Sequence, residues 1–194
     1  MKNNSVCDIG FIGLGVMGKN LVLNLADNGY SIAAFDLDLG KVDDVIAQDK
    51  AESGLPSARA ARQYQLPSVQ SVPAGAPVDQ VCENLIGAGV QPDDIVIDTG
   101  NSLWVDTVAR EKKYKSNFIL FSSAVSGGEV GARFGPALMP SGSPYAWTRI
   151  KPIWEAIAAK VDAETGKPIE RTKPGEIVTE GEPCAAYIGP AGAG

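Results

Sequence analysis

Three glycines and one carboxylate carry the strongest chemical signal in this chain. Asp8-Ile9-Gly10-Phe11-Ile12-Gly13-Leu14-Gly15-Val16-Met17-Gly18 reads as a short apolar strand, a tight glycine turn and a helix start, with Asp36 eighteen residues beyond Gly18. A helix N-terminus offers free N–H groups and a positive dipole end, which suit phosphate. Gly13 permits the turn, Gly15 lets the backbone approach a pyrophosphate, and Gly18 lets the helix pack closely on the strand. Ser31 to Asp36 reads as a second buried strand ending in an acid placed to accept hydrogen bonds from ribose hydroxyls. The spacing predicts a dinucleotide-binding βαβ unit, with Gly13, Leu14, Gly15, Val16, Met17, Gly18 and Asp36 at the ligand.

Composition narrows the remaining chemistry. The 194 residues contain no histidine, which removes the usual general base, the usual metal ligand and any Ser-His-Asp arrangement. Acid–base work would fall to Lys, Glu, Asp or Tyr, or to groups outside these residues. Cys7, Cys82 and Cys184 are far apart and form neither a disulfide framework nor a zinc site. A net charge of −6 argues against nucleic-acid binding. MKNNSVCD lacks a signal-peptide core, and no apolar run reaches membrane-spanning length, so a soluble cytoplasmic protein is expected.

These residues need a frame to position them, and strands alternate with helices along the chain. Strands are expected at Ile9 to Ile12, Ser31 to Phe35, Asp94 to Asp98 and Asn117 to Phe121. Helices are expected at Lys19 to Gly29, Lys41 to Gln48, Pro77 to Leu85 and Val105 to Tyr114. Ser143-Pro144 opens a last long helix with Ser as N-cap, and Trp147, Ile150, Trp154, Ile157 and Val161 form its apolar stripe. Pro152 lies inside that stripe, where proline kinks a helix. Both tryptophans read as core. The alternation predicts one domain over 1–194 with a Rossmann-like, doubly wound α/β fold: a mostly parallel sheet with helices on both faces.

Three stretches read less clearly. A buried strand is due between Leu66 and Val72, but LPSVQSV is interrupted by Pro67 and polar residues, so a short strand is placed at Val69 to Val72. Asp162 to Pro183 is rich in charge, Gly and Pro and reads as a surface loop or hairpin. Tyr187-Ile188-Gly189 reads as a final short strand.

GFIGLGVMGKNL, IVIDTGNS, AVSGGEVGARFGPALMPSG and GEPCAAYIGPAGAG together resemble the N-terminal domain of the 6-phosphogluconate dehydrogenase family, over nearly the whole chain. The SGGEVGARFGPALMP stretch is the specific part. The resemblance implies NAD(P)-dependent oxidative decarboxylation of 6-phosphogluconate. A hydride leaves C3 for the nicotinamide, and the β-keto acid loses CO2 to give ribulose 5-phosphate. By position, Val72, Pro73 and Ala74 would form a loop beside the cofactor. Asn101 would contact cofactor and substrate, and Ser126, Gly127 and Gly128 would bind the substrate near its carboxylate. Asn101 and Ser126 also follow strands, at the edge where open α/β sheets bind ligands.

The chain departs from the family pattern in four places. Asp36, Leu37 and Asp38 stand where the family has Asn-Arg-Ser/Thr to grip the 2′-phosphate of NADP, so NAD is favoured over NADP. Pro73 replaces a lysine in the cofactor loop. The family's catalytic lysine, a His-Asn pair, a glutamate acid and a large helical domain lie beyond Gly194, so no catalytic residue is assigned here and the fragment alone is expected to be inactive. Gly54 to Val72 is shorter than in typical members. The full-length family forms homodimers. A 3-hydroxyisobutyrate-type dehydrogenase, which shares the glycine turn and a Ser-Gly-Gly motif, and a non-catalytic dinucleotide-binding module are the alternatives.

Overall fold

The computed structural model describes residues 7–53, 58–60 and 68–194. Its elements run β1 (Ile9–Ile12), α1 (Val16–Asp27), β2 (Ile32–Phe35), α2 (Leu39–Ser53), β3 (Ala58–Ala60), β4 (Ser68–Gln70), α3 (Ala76–Gly87), β5 (Ile95–Asp98), α4 (Trp104–Tyr114), β6 (Ile119–Ser126), α5 (Gly128–Phe134), β7 (Ala137–Ser141) and α6 (Pro144–Ile157). The seven strands form one sheet in the order β3-β2-β1-β4-β5-β6-β7. All pair in parallel except β7, which runs antiparallel to β6. The order reverses between β1 and β4, so a crevice opens at the carboxyl ends of these two strands.

Strand side chains alternate between two apolar layers. Ile9 and Phe11 of β1, Ile95 and Ile97 of β5, and Phe121 of β6 face one layer with Leu21, Leu25, Ile150 and Trp154. Ile12, Val96 and Leu120 point the other way, onto Val78, Val81, Cys82, Leu85, Tyr114 and Phe118. Each fully buried aliphatic or aromatic side chain contributes about 1.5–3 kcal/mol. Trp154 is buried and donates its indole N–H to Ser123 Oγ at 2.7 Å, so the core reading of this residue holds. Trp147 packs against the core and stacks on Tyr187.

Several boundaries move. The weak strand forms at Ser68–Gln70, one residue earlier than expected, with Val69 fully buried and Val72 left in the loop that follows. Leu66 and Pro67 lie outside the described residues, as does most of the stretch read as shortened. α2 is longer than expected, β6 runs on to Ser126, and α6 ends at Ile157, passing through Pro152. Val161 belongs to a strand instead of the α6 stripe. Ser143 precedes α6 without a side-chain capping bond. Tyr187 to Gly189 is no strand; only the single bridges Leu138–Ala185 and Ser141–Gly189 form.

The segment read as a surface loop is partly anchored. It contributes β9 (Pro168–Ile169) and β10 (Glu182–Pro183), which pair with β8 (Lys160–Val161), just before it, in the order β10-β8-β9. Between β9 and β10, Arg171 turns inward. It donates to Asn24 Oδ1 at 2.7 Å and to Asp27 Oδ2 at 2.9 Å on α1. Arg133 of α5 also pairs with Asp27, and reaches Glu52 of α2 at 2.6 Å. Charge that reads as surface in the sequence is buried because each guanidinium finds a carboxylate.

Candidate functional site

The crevice between β1 and β4 is built by the glycine turn. Gly13 has φ +90°, a left-handed conformation, and a Cβ there would collide with Ser71 O. A Cβ on Gly18 would collide with Gly13 O and lie 3.2 Å from the Phe11 ring. These two glycines are required by the fold itself. Gly15 differs: its φ is −63°, and a Cβ there would meet no described protein atom within 4 Å. That open space lies at the N-terminus of α1, where no side chain caps the helix. The first-turn N–H groups face outward with the positive end of the helix dipole.

Two clefts flank this point, and Gly15, Ser71, Val72 and Pro73 border both. The first, about 320 Å³, is lined by Val16, Met17, Gly18, Asn101 and Val125. The second, about 380 Å³, is lined by Gly13, Asp36, Leu37 and Lys41 on one side and by Pro77, Gln80, Val81 and Asn84 of α3 on the other. A glycine turn with an open helix N-terminus, set between two clefts, has a shape that fits a dinucleotide, one nucleoside on each side.

Asp36 sits as expected at the end of β2, but its carboxylate is already engaged. Oδ2 accepts the Leu14 N–H at 2.6 Å, and Oδ1 accepts the Asp38 N–H at 2.9 Å. Lys41 in the first turns of α2 stands 3.7 Å from Oδ1, a cation the spacing did not reveal. Leu37 is 91% exposed at the rim. Asp38 accepts the Gly40 N–H at 2.9 Å and so caps the start of α2. Leu14 is a core side chain that contributes its N–H, not its surface.

The other predicted residues converge on the same edge. Val72 and Pro73 border both clefts, while Ala74 lines neither. Asn101 follows β5, in a loop held from below by Asp98. One Asp98 oxygen accepts the Gly100 N–H at 2.9 Å and the other the Ser102 hydroxyl at 2.8 Å. Burial pushes the Asp98 carboxyl above its ordinary range, and these two hydrogen bonds oppose the push. Val125 of β6 reaches the first cleft; Ser126, Gly127 and Gly128 continue from it and line neither cleft. Gly127 (φ +126°) and Gly128 (φ +62°) turn the chain into α5. Asn20, two residues past Gly18, donates to Val16 O at 2.8 Å and to Glu129 at 3.5 Å, tying α1 to the start of α5.

Two further lysines are engaged away from the clefts. Lys113 pairs with Glu83 at 2.9 Å and donates to the Tyr114 hydroxyl at 2.8 Å. Burial pushes Tyr114 up to about 12, out of range for a base near neutrality. Lys160, unremarked in the sequence, is buried with its ammonium on Val178 O (2.6 Å) and Ala156 O (3.3 Å).

A family model for the NAD binding domain of 6-phosphogluconate dehydrogenase matches residues 8–166. The chain is 40% identical over 194 residues to decarboxylating 6-phosphogluconate dehydrogenase 1 of Saccharomyces cerevisiae, covering 96% of this chain and 36% of that protein. The human decarboxylating 6-phosphogluconate dehydrogenase gives the same identity and coverage. The solved Plasmodium falciparum 6-phosphogluconate dehydrogenase, studied apo, with its cofactor NADP+ and with its substrate 6-phosphogluconate, matches at TM-score 0.77 and 30% identity, over 96% of this chain and 38% of that one. Mycobacterium tuberculosis 3-hydroxyisobutyrate dehydrogenase, at TM-score 0.68 and 22% identity over 96% of this chain and 55% of its own, shares the fold. The chain spans little more than a third of the 6-phosphogluconate dehydrogenases it matches.

Proposed function

Because the chain belongs to the 6-phosphogluconate dehydrogenase family, by its NAD-binding domain, we propose that it is the cofactor half of an enzyme that oxidatively decarboxylates 6-phosphogluconate to ribulose 5-phosphate. The observation that carries this reading is the pair of clefts meeting at Gly15. The second cleft takes the adenosine half, with Asp36 at its ribose. The first takes the nicotinamide half, between Met17 and Asn101. The α1 N-terminus holds the pyrophosphate between them.

When bound, the dinucleotide supplies the hydride acceptor. The chain's own residues bind and orient. Met17 and Val125 present an apolar wall that keeps water from the reacting carbon. Asn101 and Ser126 fix the sugar acid, and the Gly127-Gly128 backbone admits its carboxylate. The hydroxyl proton needs a base within hydrogen-bond reach. The residues lining the first cleft include no Lys, Asp, Glu or Tyr, so the base comes from outside this chain. NAD is preferred over NADP, because Asp36 would meet a 2′-phosphate with Leu37 where an arginine would help. Lys41 moderates that preference. The complete enzyme is a cytoplasmic homodimer.

The test joins this chain to the helical remainder of a family member and follows NADH formation. Turnover of 6-phosphogluconate, lost in Ser126→Ala with NAD affinity kept and lost also in Asn101→Ala, supports the reading. Turnover of 3-hydroxyisobutyrate instead, or an unchanged kcat/KM in Ser126→Ala, contradicts it.

A further inference from the structure

We propose that Arg110 is a positioning residue for cofactor binding, acting through α3. The proposal rests on the cofactor reading of the second cleft. One wall of that cleft is the α3 face carrying Pro77, Gln80, Val81 and Asn84, together with the Val72-Pro73 segment that leads into it. How firmly this wall stands depends on the junction at Gly75, which has φ +96° and no side-chain capping bond. Arg110, on α4 and outside both clefts, supplies the missing grip. Its Nη2 donates to Gly75 O at 2.9 Å and to Asp79 Oδ2 at 2.9 Å, and its Nε donates to the same Asp79 oxygen at 3.0 Å. Gly75 O also accepts the Val78 N–H at 3.1 Å, so one carbonyl joins the end of the loop, the first turn of α3 and α4.

The guanidinium is well suited to this and poorly suited to simple packing. Arg110 is 6% exposed, and its Nη1 is buried with no hydrogen-bond partner among the described residues. A buried unsatisfied donor is unfavourable, and an apolar side chain would fill the same volume without it. What an apolar side chain cannot do is hold a carbonyl and a carboxylate in one plane; lysine cannot do it with a forked geometry either. Holding α3 in place before the ligand arrives reduces the ordering cost of binding. The effect falls on whatever touches the α3 wall, the adenosine end, and leaves the 2′ position at Asp36 and Lys41 alone.

Adenosine diphosphate ribose is the probe, since it fills the second cleft without nicotinamide. Calorimetric titration compares the parent with Arg110→Lys and Asp79→Asn, each at a temperature where its circular dichroism shows it fully folded. The expected result is a Kd weaker by about tenfold in both variants, with the NAD-to-NADP ratio unchanged. Asp79 is partly exposed, so Asp79→Asn keeps the test decisive if Arg110→Lys does not fold. Affinity within about twofold of the parent in folded Asp79→Asn and Arg110→Lys, with only a lowered Tm, overturns the proposal and leaves Arg110 a stabilising residue. Failure of the parent itself to bind the probe overturns the reading of the cleft, and this proposal with it.

Discussion

The carboxylate of Asp36 accepts the backbone N–H of Leu14 at 2.6 Å. The acid at the end of β2 therefore fixes the glycine turn after β1 as well as lining the second cleft. An asparagine keeps the Leu14 bond through its carbonyl oxygen and gives up only the exposed Asp38 N–H, which its amide nitrogen cannot accept; alanine keeps neither. Two charges ~4 Å apart at an effective dielectric of ~20 interact by about 4 kcal/mol. Solvent screening and the opposing charge of Lys41 reduce this, so a preference of about tenfold for NAD is expected. Asp36→Asn with Leu37→Arg should move the preference to NADP with little change in Tm. Lys41→Ala should widen the gap in favour of NAD. Equal NAD and NADP affinities in the parent would sink the argument.

The three glycines should separate by substitution. Gly15→Ala has room and an ordinary φ, so its urea midpoint should match the parent while its dinucleotide affinity falls by about tenfold or more. Gly13→Ala carries a strained φ, costing about 1–3 kcal/mol, plus a collision with Ser71 O. Gly18→Ala should destabilise despite the higher helix propensity of alanine, because its Cβ meets the Gly13 carbonyl. A Gly15→Ala variant that loses stability would show that the space above α1 belongs to the fold.

The buried pairs around Asp27 set a second stability test. Arg171→Met removes one guanidinium from Asp27 and Asn24, and Asp27→Ala takes the shared carboxylate from Arg171 and Arg133, leaving Arg133 with Glu52. Breaking a buried ion pair from one side costs about 3–5 kcal/mol. Asp27→Ala should lose more than Arg171→Met, since it takes the carboxylate from Arg171 and one of two from Arg133, whereas Arg171→Met leaves Asp27 paired with Arg133. Urea unfolding at constant m-value checks the order; a reversed order would contradict the arrangement.

Acid should weaken the α3–α4 link. The Arg110 hydrogen bonds hold the Asp79 carboxyl below its usual range, assisted by Tyr114 and Lys113. A lowered folded value means the contribution is fully present above the unfolded value of about 3.9 and is lost as pH falls through the folded one. Asp98 works in the opposite direction, because burial raises it. Subtracting Asp79→Asn from the parent isolates Asp79: the stability difference should be constant near neutrality and close below about pH 4. A difference that grows on acidification would reverse the assigned sign.

The βαβ unit was legible because its determinants are local: glycines at fixed spacing and apolar runs that alternate between two layers. β4 was hard to see for a physical reason. It lies mid-sheet between β1 and β5, yet two of its three residues, Ser68 and Gln70, are buried polar side chains, so hydrophobic periodicity registers only Val69. The inward turn of Arg171 depends on Asn24 and Asp27, more than 140 residues away, and no local pattern encodes that. Lys41 sits beside Asp36 because the loop folds back into α2, a geometry that spacing alone does not give. Val72, Pro73 and Asn101 line the clefts, whereas Ala74 and Ser126 to Gly128 do not.

The most direct test titrates NAD, and then NADP, into the 194-residue chain by calorimetry, followed by addition of 6-phosphogluconate under an NADH absorbance assay. Saturable 1:1 binding of NAD with Kd below about 1 mM, weaker binding of NADP and no turnover are the predicted results. Failure of NAD to saturate at about 10 mM, or turnover within about tenfold of a full-length relative, would contradict the assignment of this chain as a cofactor-binding half that lacks the catalytic base.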